Sequence, residues 1–278
     1  RLAWYRRMIK EGTIIPQNKA KIIRELPGSV LVDANQNMGQ LATVLATQKI
    51  IEKAKKTGVA IAVIRNSNHF GTAGYYTRLA LEAGLVGVAL TNTRPLVVPT
   101  NATQAFLAKK GEPLPGEWAV DKDRHVVTDA QEAEDILATA AFTEGEQKGG
   151  GVLTLGGSNE ENSNYKGMGN SIVIELLTGI LAQGSISADT VSGKHDFSQF
   201  VMVLNPAFFG DPEVLKKDAT SMLDRIRQLE HIPGKEIWVP GDREYRLLAE
   251  NKEKGVTIDE KTYQEMKEIG TELGIDVP

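Results

Sequence analysis

The 278-residue chain contains no cysteine, and this absence removes several kinds of chemistry. A disulfide scaffold, a zinc ribbon, an iron–sulfur cluster and a thiol nucleophile all depend on cysteine. Aromatic residues make up only 6% of the chain, so a stacking platform for single-stranded nucleic acid is not expected. Any catalysis is therefore expected to use histidine, arginine or a bound cofactor.

A strong charge of one sign is also absent, because 32 Lys and Arg residues stand against 36 Asp and Glu residues, for a formal net charge of −4. This balance lacks the basic field of proteins that bind nucleic acids or anionic membranes. No apolar run approaches the roughly 18 residues that a transmembrane helix needs. Residues 1–10 show no signal-peptide pattern. We expect neither a nucleic-acid partner nor a membrane partner.

The spacing of apolar residues predicts strands that alternate with helices, which is typical of an α/β layer. The elements predicted first are helix 2–10, strand 29–34, helix 41–57, strand 59–65, helix 73–83 and strand 86–91. Those predicted farther along are a glycine-rich loop at 149–169, helix 171–181, strand 200–204, helix 212–229 and a charged, helical C-terminal part from residue 242. The chain is long enough for one large or two ordinary domains.

Of the four histidines, His69 has the most informative position. It follows the predicted strand 59–65, and the carboxyl end of a strand is where open α/β sheets place their ligand sites. Imidazole can give and take a proton near neutral pH. A loop histidine that is hydrogen-bonded to its neighbours is the competing interpretation.

The glycine-rich loop ends in Lys166, Gly167 and Gly169, just before the predicted helix 171–181. Backbone N–H groups of such a loop and the positive end of a helix can bind an anion, and Lys166 adds a full charge. No Walker or Rossmann motif is present. A turn that only reverses the chain is the alternative.

Arginine and carboxylate side chains give weaker signals. Arg1, Arg65, Arg78 and Arg94 are candidates to bind a carboxylate, although most arginines are simply solvated. The carboxylates are too scattered to suggest a metal site, and no HExxH motif is present. We therefore expect no metal.

Several segments together resemble a known family. They are VDANQNMGQ at 32–40, SNHFGTAGYYTRLALEAGLVGVALTNTRPLVVP at 67–99, NYKGMG at 164–169, LNPAFF at 204–209 and VPGDRE at 239–244. In this order they resemble the malate/L-lactate dehydrogenase family that lacks a Rossmann fold. That family also includes L-sulfolactate, ureidoglycolate and 2,3-diketo-gulonate dehydrogenases or reductases, and cyclic-imine reductases.

The resemblance implies an α/β fold of the L-sulfolactate dehydrogenase type, with a mixed central sheet flanked by helices. It also implies a helical substrate and dimer subdomain from residues 1–28 and 241–278, and a cofactor-binding α/β domain from 29–240. The implied activity is an NAD- or NADP-dependent oxidoreductase that interconverts small 2-hydroxy and 2-oxo acids. A cytoplasmic homodimer is the implied setting.

The matching motifs also imply roles for individual residues. His69 is expected to be the acid/base near the substrate carbon, and Arg1 is expected to contribute to catalysis by binding the substrate carboxylate. Thr93 is expected beside the substrate and the nicotinamide. The residues expected to hold the cofactor are Thr93, Lys166, Gly167, Gly241, Asp242 and Arg243.

Two departures from the family pattern lie at the expected site. The DxHG part of a DxHGxxR motif, which ends at Arg1, is absent. A GTNP-like segment and a strand with Asp-Met-Ala are missing near 107–108, between Leu107 and Ala108. We expect these segments to order on ligand binding rather than to be deleted. The alternatives are a non-catalytic dimer that binds a nucleotide or metabolite, and an imine reductase of the piperideine-carboxylate type.

Overall fold

The computed structural model describes residues 2–102, 105, 118–129, 131–133, 135–136, 149–158, 160–190 and 196–277. The chain divides into two compact units. Residues 1–8 and 206–278 form the first, called here the helical unit, and residues 9–205 form the second, called the sheet unit. The substrate and cofactor roles that the sequence suggests for its two subdomains stay a prediction.

The described strands are β1 (Lys21–Leu26), β2 (Ser29–Asp33), β3 (Val59–Ser67), β4 (Val86–Thr91), β5 (Ala119–Val120), β6 (Val126–Val127), β7 (Gly151–Val152) and β8 (Phe197–Leu204). Five of them form one sheet in the order β1-β2-β3-β8-β4, and a small sheet has the order β6-β5-β7. In the larger sheet β2 is parallel to β3, whereas β8 is antiparallel to both β3 and β4. The carboxyl ends of β2, β3 and β4 therefore lie at the same edge, and the predicted mixed sheet is confirmed.

The described α-helices are α1 (Leu2–Lys10), α2 (Gly39–Thr57), α3 (Ala73–Glu82), α4 (Asn164–Glu175), α5 (Pro212–Arg227), α6 (Asp242–Lys254) and α7 (Glu260–Leu273). A π-helical turn, Leu176–Ile180, continues α4. Helix α2 packs on one face of the sheet through small residues such as Ala42 and Ala46, which are fully buried. Phe200 and Ala182 belong to the apolar cluster on the other face. Burial on both faces explains why β3 has an almost continuous apolar sequence.

The helical unit consists of α5, α6, α7 and most of α1. Its helices carry ordinary end signals, since Asp211 and Asp259 accept hydrogen bonds from backbone N–H groups at the starts of α5 and α7. Gly255, with a φ of 81°, ends α6. In the described part of the chain, no helix combines the length and the apolar character required to cross a bilayer. The predicted helical N- and C-terminal part is confirmed.

The largest differences from the sequence prediction concern β1, β8 and α4, while several other elements differ by one or two residues at an end. Strand β1 was not predicted, because most of its side chains are exposed and no apolar alternation marks it. Strand β8 begins at Phe197 rather than residue 200, since its first residues include the polar pair Ser198 and Gln199. Helix α4 begins at Asn164, so the end of the glycine-rich segment is helical rather than a loop. Lys166 therefore lies in the first turn of a helix.

Candidate active site

The loops after β3 and β4 meet the beginning of β8 at one edge of the larger sheet. His69 lies two residues beyond β3, and Thr93 lies two residues beyond β4. Because β8 separates these two strands, their ends are about 10 Å apart, or two strand spacings. A small molecule can span that distance.

His69 is half-buried, and its ring orientation is set by a local contact. The backbone N–H of Gly71 donates to Nδ1 of His69 at 3.3 Å. A nitrogen that accepts a hydrogen bond carries no hydrogen, so the neutral ring has its hydrogen on Nε2.

Asn68, the residue before His69, is almost completely buried. Its side-chain amide donates to the carbonyl oxygens of Gln36 and Asn37, each at 3.2 Å. Its own carbonyl accepts a 3.2 Å hydrogen bond from Nε2 of Gln199 in β8. The backbone that carries His69 is thus attached to the loop after β2 and to the neighbouring strand.

Gly39 brings the start of α2 directly against this backbone. A Cβ atom on Gly39 would lie 2.1 Å from the carbonyl oxygen of Asn68 and 2.8 Å from that of His69. Only glycine permits an approach this close. The beginning of α2 therefore helps to determine where His69 lies.

Asn92 organises the loop after β4 and is 1% exposed. Its Nδ2 donates to the carbonyl oxygen of Ser185 at 2.7 Å, and its Oδ1 accepts from the N–H of Ser198 at 2.8 Å. Thr93 follows it, and its hydroxyl donates to the carbonyl oxygen of Arg94 at 2.9 Å. The half-buried Thr93 side chain thus has a defined orientation at the edge of the sheet.

The start of α4 is the second region that the sequence indicates. Ser163, the residue before the helix, has a φ of 59° and makes no side-chain capping hydrogen bond in the described structure. Lys166 is exposed, and its Nζ lies 5.9 Å from the centre of the Tyr165 ring. An uncapped helix start beside an exposed lysine suits a phosphate or another anion.

Gly167 has a packing role that the sequence did not reveal. A Cβ atom there would lie 2.2 Å from the carbonyl oxygen and 2.5 Å from the nitrogen of Leu155. The first turn of α4 is also attached through Asn164, whose carbonyl accepts a 3.0 Å hydrogen bond from the hydroxyl of Thr154. These contacts explain why the helix begins at Asn164.

The predicted cofactor turn at residues 241–243 lies in the helical unit. Gly241 has a φ of 103° and precedes α6. The Asp242 carboxylate accepts hydrogen bonds from Nη2 and Nε of Arg227, at 2.7 Å and 3.1 Å, and from the N–H of Val239 at 3.0 Å. The Arg227 guanidinium holds the pKa of Asp242 below its ordinary value. Asp242 thus joins α5 to the start of α6, while Arg243 is exposed.

Comparison with known proteins assigns the chain to a family. The sequence model of a family described as malate/L-lactate dehydrogenase matches residues 1–109 and 107–267. The chain belongs to the malate/L-lactate dehydrogenase family. The resemblance that the motifs indicated is therefore confirmed, and the family's members include 2-hydroxyacid dehydrogenases.

Individual members of the malate/L-lactate dehydrogenase family match almost the whole chain. A malate dehydrogenase of Pyrococcus abyssi is 30% identical over 312 residues, covering 99% of this chain and 83% of the relative. An L-sulfolactate dehydrogenase of Methanocaldococcus jannaschii is 29% identical, covering 100% and 85%. The solved malate dehydrogenase of Pyrococcus horikoshii superposes with a TM-score of 0.86 at 29% identity, covering 100% and 83%. The predicted fold type is confirmed.

Two of the predictions drawn from the family resemblance fall outside the described residues: Arg1 and the junction between Leu107 and Ala108. The two stretches matched by the family meet at residues 107–109, the position of that junction. Among the other arginines named from the sequence, Arg65 lies 3.5 Å from Asp33 and Arg78 donates to Glu82 at 2.8 Å. Both charges are thus opposed by a neighbouring carboxylate.

Several buried polar residues at the sheet edge were not predicted as part of the site. They are Asn92, Asp196 and Gln199. The half-buried Asn66, which has a left-handed backbone, was not predicted either. The available signal was a polar residue inside an apolar strand, as with Gln199 in FSQFVMVL. Their partners come from distant parts of the chain, which a local pattern does not reveal.

The described residues include one cluster with possible metal-ligating groups, formed by Asp121, Asp123 and His125 on an exposed loop. Oδ1 of Asp121 accepts hydrogen bonds from the backbone N–H groups of Asp123 and His125, both at 2.8 Å. These contacts account for the arrangement as a local turn.

Proposed function

We propose that the protein is an NAD- or NADP-dependent oxidoreductase that interconverts a small 2-hydroxy acid and the corresponding 2-oxo acid. Malate and sulfolactate, which appear in the names of its relatives, are the first substrates to consider. A homodimer in the cytoplasm is part of the same proposal and rests on the family resemblance. Membership in a dehydrogenase family supports the reaction class.

The observation that carries the proposal is the placement of His69 at the carboxyl edge of the sheet. Its Nδ1 accepts from the backbone N–H of Gly71, and we assign the contact with the carbonyl or hydroxyl oxygen of the substrate to Nε2. Thr93 lies about two strand spacings away, on the other side of β8. A three- or four-carbon acid and a nicotinamide ring can lie between these two loops.

The start of α4 fits the phosphates of a dinucleotide. Its uncapped first turn and the exposed Lys166 provide positive charge, and Gly167 allows the turn to lie against Leu155. When bound, the nicotinamide supplies the hydride for the carbonyl carbon. We assign phosphate binding to Lys166 and to the turn that contains Gly167, and a closing role to Gly241, Asp242 and Arg243.

The protein's own residues supply positioning and a proton. As the 2-oxo acid is reduced, the imidazolium form of His69 donates its Nε2 proton to the carbonyl oxygen and is left as a neutral imidazole, whose Nε2 takes the proton back in the opposite direction. The imidazolium carries hydrogen on both ring nitrogens, so this step requires Nδ1 to give up the hydrogen bond from Gly71. Arg1 binds the substrate carboxylate, and Thr93 orients the substrate beside the nicotinamide. Holding the reacting groups in place is expected to provide much of the rate enhancement.

The test compares His69→Ala with the wild type, using NADH and NADPH with a panel of 2-oxo acids. We expect turnover to fall by about 10²- to 10⁴-fold, the usual contribution of general acid–base catalysis. Binding of NADH, measured by its fluorescence, should remain. The matched control is His125→Ala, which removes an exposed imidazole from the loop near β6.

Wild-type rates in His69→Ala across the whole panel would refute the role of His69. Reduction of the panel by the wild type, with loss in His69→Ala alone, supports the proposal. A cyclic imine acid belongs in the panel, because a preference for it would indicate an imine reductase.

A second candidate is a protein that binds a nucleotide through the start of α4 without catalysis. The observation that favours it is the family match in two stretches that meet at residues 107–109, the position at which the family resemblance leads us to expect further cofactor-facing segments. This candidate predicts that NADH binds and that Lys166→Ala weakens the binding, while every acid in the panel is left unchanged. Turnover by the wild type excludes it.

A further inference from the structure

Asn66 has an unusual backbone conformation three residues before His69. Its φ is 49°, in the left-handed region that residues other than glycine seldom adopt. The pairing of β3 with β8 is irregular at this point, between Ile64 and Ser67. Such an irregularity redirects the chain at the end of a strand, as bulges next to active sites do.

The first group that holds Asn66 in this conformation is the carboxylate of Asp196. Oδ1 of Asp196 accepts from the backbone N–H of Asn66 at 2.6 Å. Oδ2 accepts from the N–H of Ser185 at 2.9 Å and from its hydroxyl at 3.2 Å. Asp196 is only 8% exposed, so both of its oxygens are used within the protein.

The second group is the carboxylate of Asp33 at the end of β2. Its Oδ2 accepts from Nδ2 of Asn66 at 2.8 Å, and its Oδ1 accepts from the N–H of Asn35 at 2.8 Å. The carbonyl oxygen of Asn66 accepts from the N–H of Gln36 at 2.7 Å. Main-chain and side-chain groups of Asn66 are thus attached to three different parts of the sheet edge.

A change at Asn66 has a short route to His69. Asn68, between them, is fixed by Gln36, Asn37 and Gln199, and Gly39 lies against its carbonyl oxygen. Because these contacts leave little free space, a shift of the Asn66 peptide changes the position of the segment that carries His69.

We propose that Asp196 and Asp33 are positioning residues for His69, which act by holding Asn66 in its left-handed conformation. The proposal rests on the proposed function of His69. Neither carboxylate touches the reacting atoms. Their task is to fix the distance and direction from which the imidazole meets the substrate.

Asp196→Asn tests the proposal with an almost isosteric change. An amide has one acceptor oxygen, so Asn at this position can accept from Asn66 or from Ser185 but not from both. The matched control is Asp121→Asn, which makes the same change in charge. Asp121 accepts both of its backbone hydrogen bonds through Oδ1 alone, so an amide preserves them.

We expect Asp196→Asn to lower kcat by about 10²-fold, the cost of displacing a catalytic group by about 1 Å. KM should change little, because ground-state binding depends less on His69 than proton transfer does. Asp33→Asn should lower kcat in the same way, since both of its oxygens also accept. Asp121→Asn should behave as the wild type.

A measurement independent of activity is nitrogen-15 NMR of the histidine rings, with His69→Ala to assign the signals. The wild type should show His69 with hydrogen on Nε2 and an unprotonated Nδ1, and Asp196→Asn should show a mixture of tautomers. Unchanged ring signals and unchanged kcat in Asp196→Asn overturn the proposal. If the wild type is inactive on every acid, the proposed function fails, and the ring signals still decide the positioning role.

Two variants of Asn66 keep the test decisive if Asp196→Asn does not fold. Glycine adopts a left-handed backbone freely, whereas alanine does not. Asn66→Gly should therefore retain more activity than Asn66→Ala, although both remove the side-chain hydrogen bond to Asp33. Equal activity of the two variants contradicts a role for the left-handed conformation.

Discussion

Asp196 at the edge of the sheet and Asp242 in the helical unit are carboxylates with similar numbers of donors but different surroundings. Asp196 is 8% exposed, and its donors are N–H and hydroxyl groups of Asn66 and Ser185. Asp242 has a side chain that is 24% exposed, and most of its hydrogen bonds come from the Arg227 guanidinium. Asp196 holds the chain near the end of β3, and Asp242 holds the turn before α6.

The difference in burial determines what is lost when each contact is removed. A buried N–H without a partner costs about 1–3 kcal/mol, because water does not replace the missing acceptor. The Arg227–Asp242 pair is half-buried, so water can replace part of a lost partner, and salt screens the charges. We therefore expect changes at the sheet edge to affect folding and His69, and changes at the Arg227–Asp242 pair to affect stability only slightly.

The largest effect is expected from Gly39→Ala, which breaks the sheet edge directly. The new Cβ atom would lie 2.1 Å from the carbonyl oxygen of Asn68, so α2 or the His69 loop has to move. We expect a loss of about 3 kcal/mol or more in the free energy of unfolding, at the upper end for overpacking. Urea denaturation followed by circular dichroism measures it.

The control for this change is Gly169→Ala in α4, where no atom lies within 4 Å of the new Cβ. Alanine is the better helix former, so this variant should be as stable as the wild type or gain up to about 1 kcal/mol. If Gly39→Ala has the same urea unfolding midpoint as the wild type, α2 does not approach Asn68 as closely in solution as the structure indicates.

A smaller effect is expected from Asn92→Ala, which removes the side chain that makes two hydrogen bonds at the start of the loop after β4. The N–H of Ser198 and the carbonyl oxygen of Ser185 would lose their hydrogen bonds in a site that is 1% exposed. The free energy of unfolding should fall by about 2–4 kcal/mol.

Asn251→Ala removes an exposed amide from α6 and provides the comparison for Asn92→Ala. It should shift the unfolding curve by less than about 0.5 kcal/mol, as most surface changes do. Equal shifts in the two variants would mean that the Asn92 hydrogen bonds are not formed in solution.

Much of the fold follows from local patterns in the sequence. The limits predicted for α1 and β4 agree with the structure. The apolar spacing that indicates each element lies within it, and a glycine stands close to one end, Gly12 after α1 and Gly84 before β4. Strand β1 escaped prediction because its stability comes from pairing with β2, while its side chains remain exposed. The start of α4 escaped prediction because glycine is a poor helix former, and here close packing against Leu155 requires it.

Parts of the candidate site that depend on local patterns could also be predicted, whereas parts that depend on long-range contacts could not. The positions of His69 and Thr93 at strand ends could be inferred from the order of strands and from the resemblance to a family. The hydrogen bonds that hold these loops could not be inferred, because they join residues far apart in the sequence. Asp196 and Asn66 are separated by 130 residues, and Asn92 and Ser198 by 106. Such pairs depend on β8 lying between β3 and β4, and no single segment records that order.

The smallest effect is expected from Asp242→Asn in the helical unit, and it should depend on pH. Hydrogen bonds from Arg227 hold the pKa of Asp242 below its ordinary value of 3.8, so the pair stabilises the folded state at neutral pH. Because the folded pKa is the lower one, this contribution is complete above the ordinary value and is lost as the pH falls through the folded value. Urea denaturation at neutral and acidic pH should show a small gap between variant and wild type that closes in acid and narrows with salt. Glu250→Gln removes the exposed partner of Arg246 in α6 and should show a still smaller gap. A gap that persists in acid would show that Asp242 acts through packing rather than through its charge.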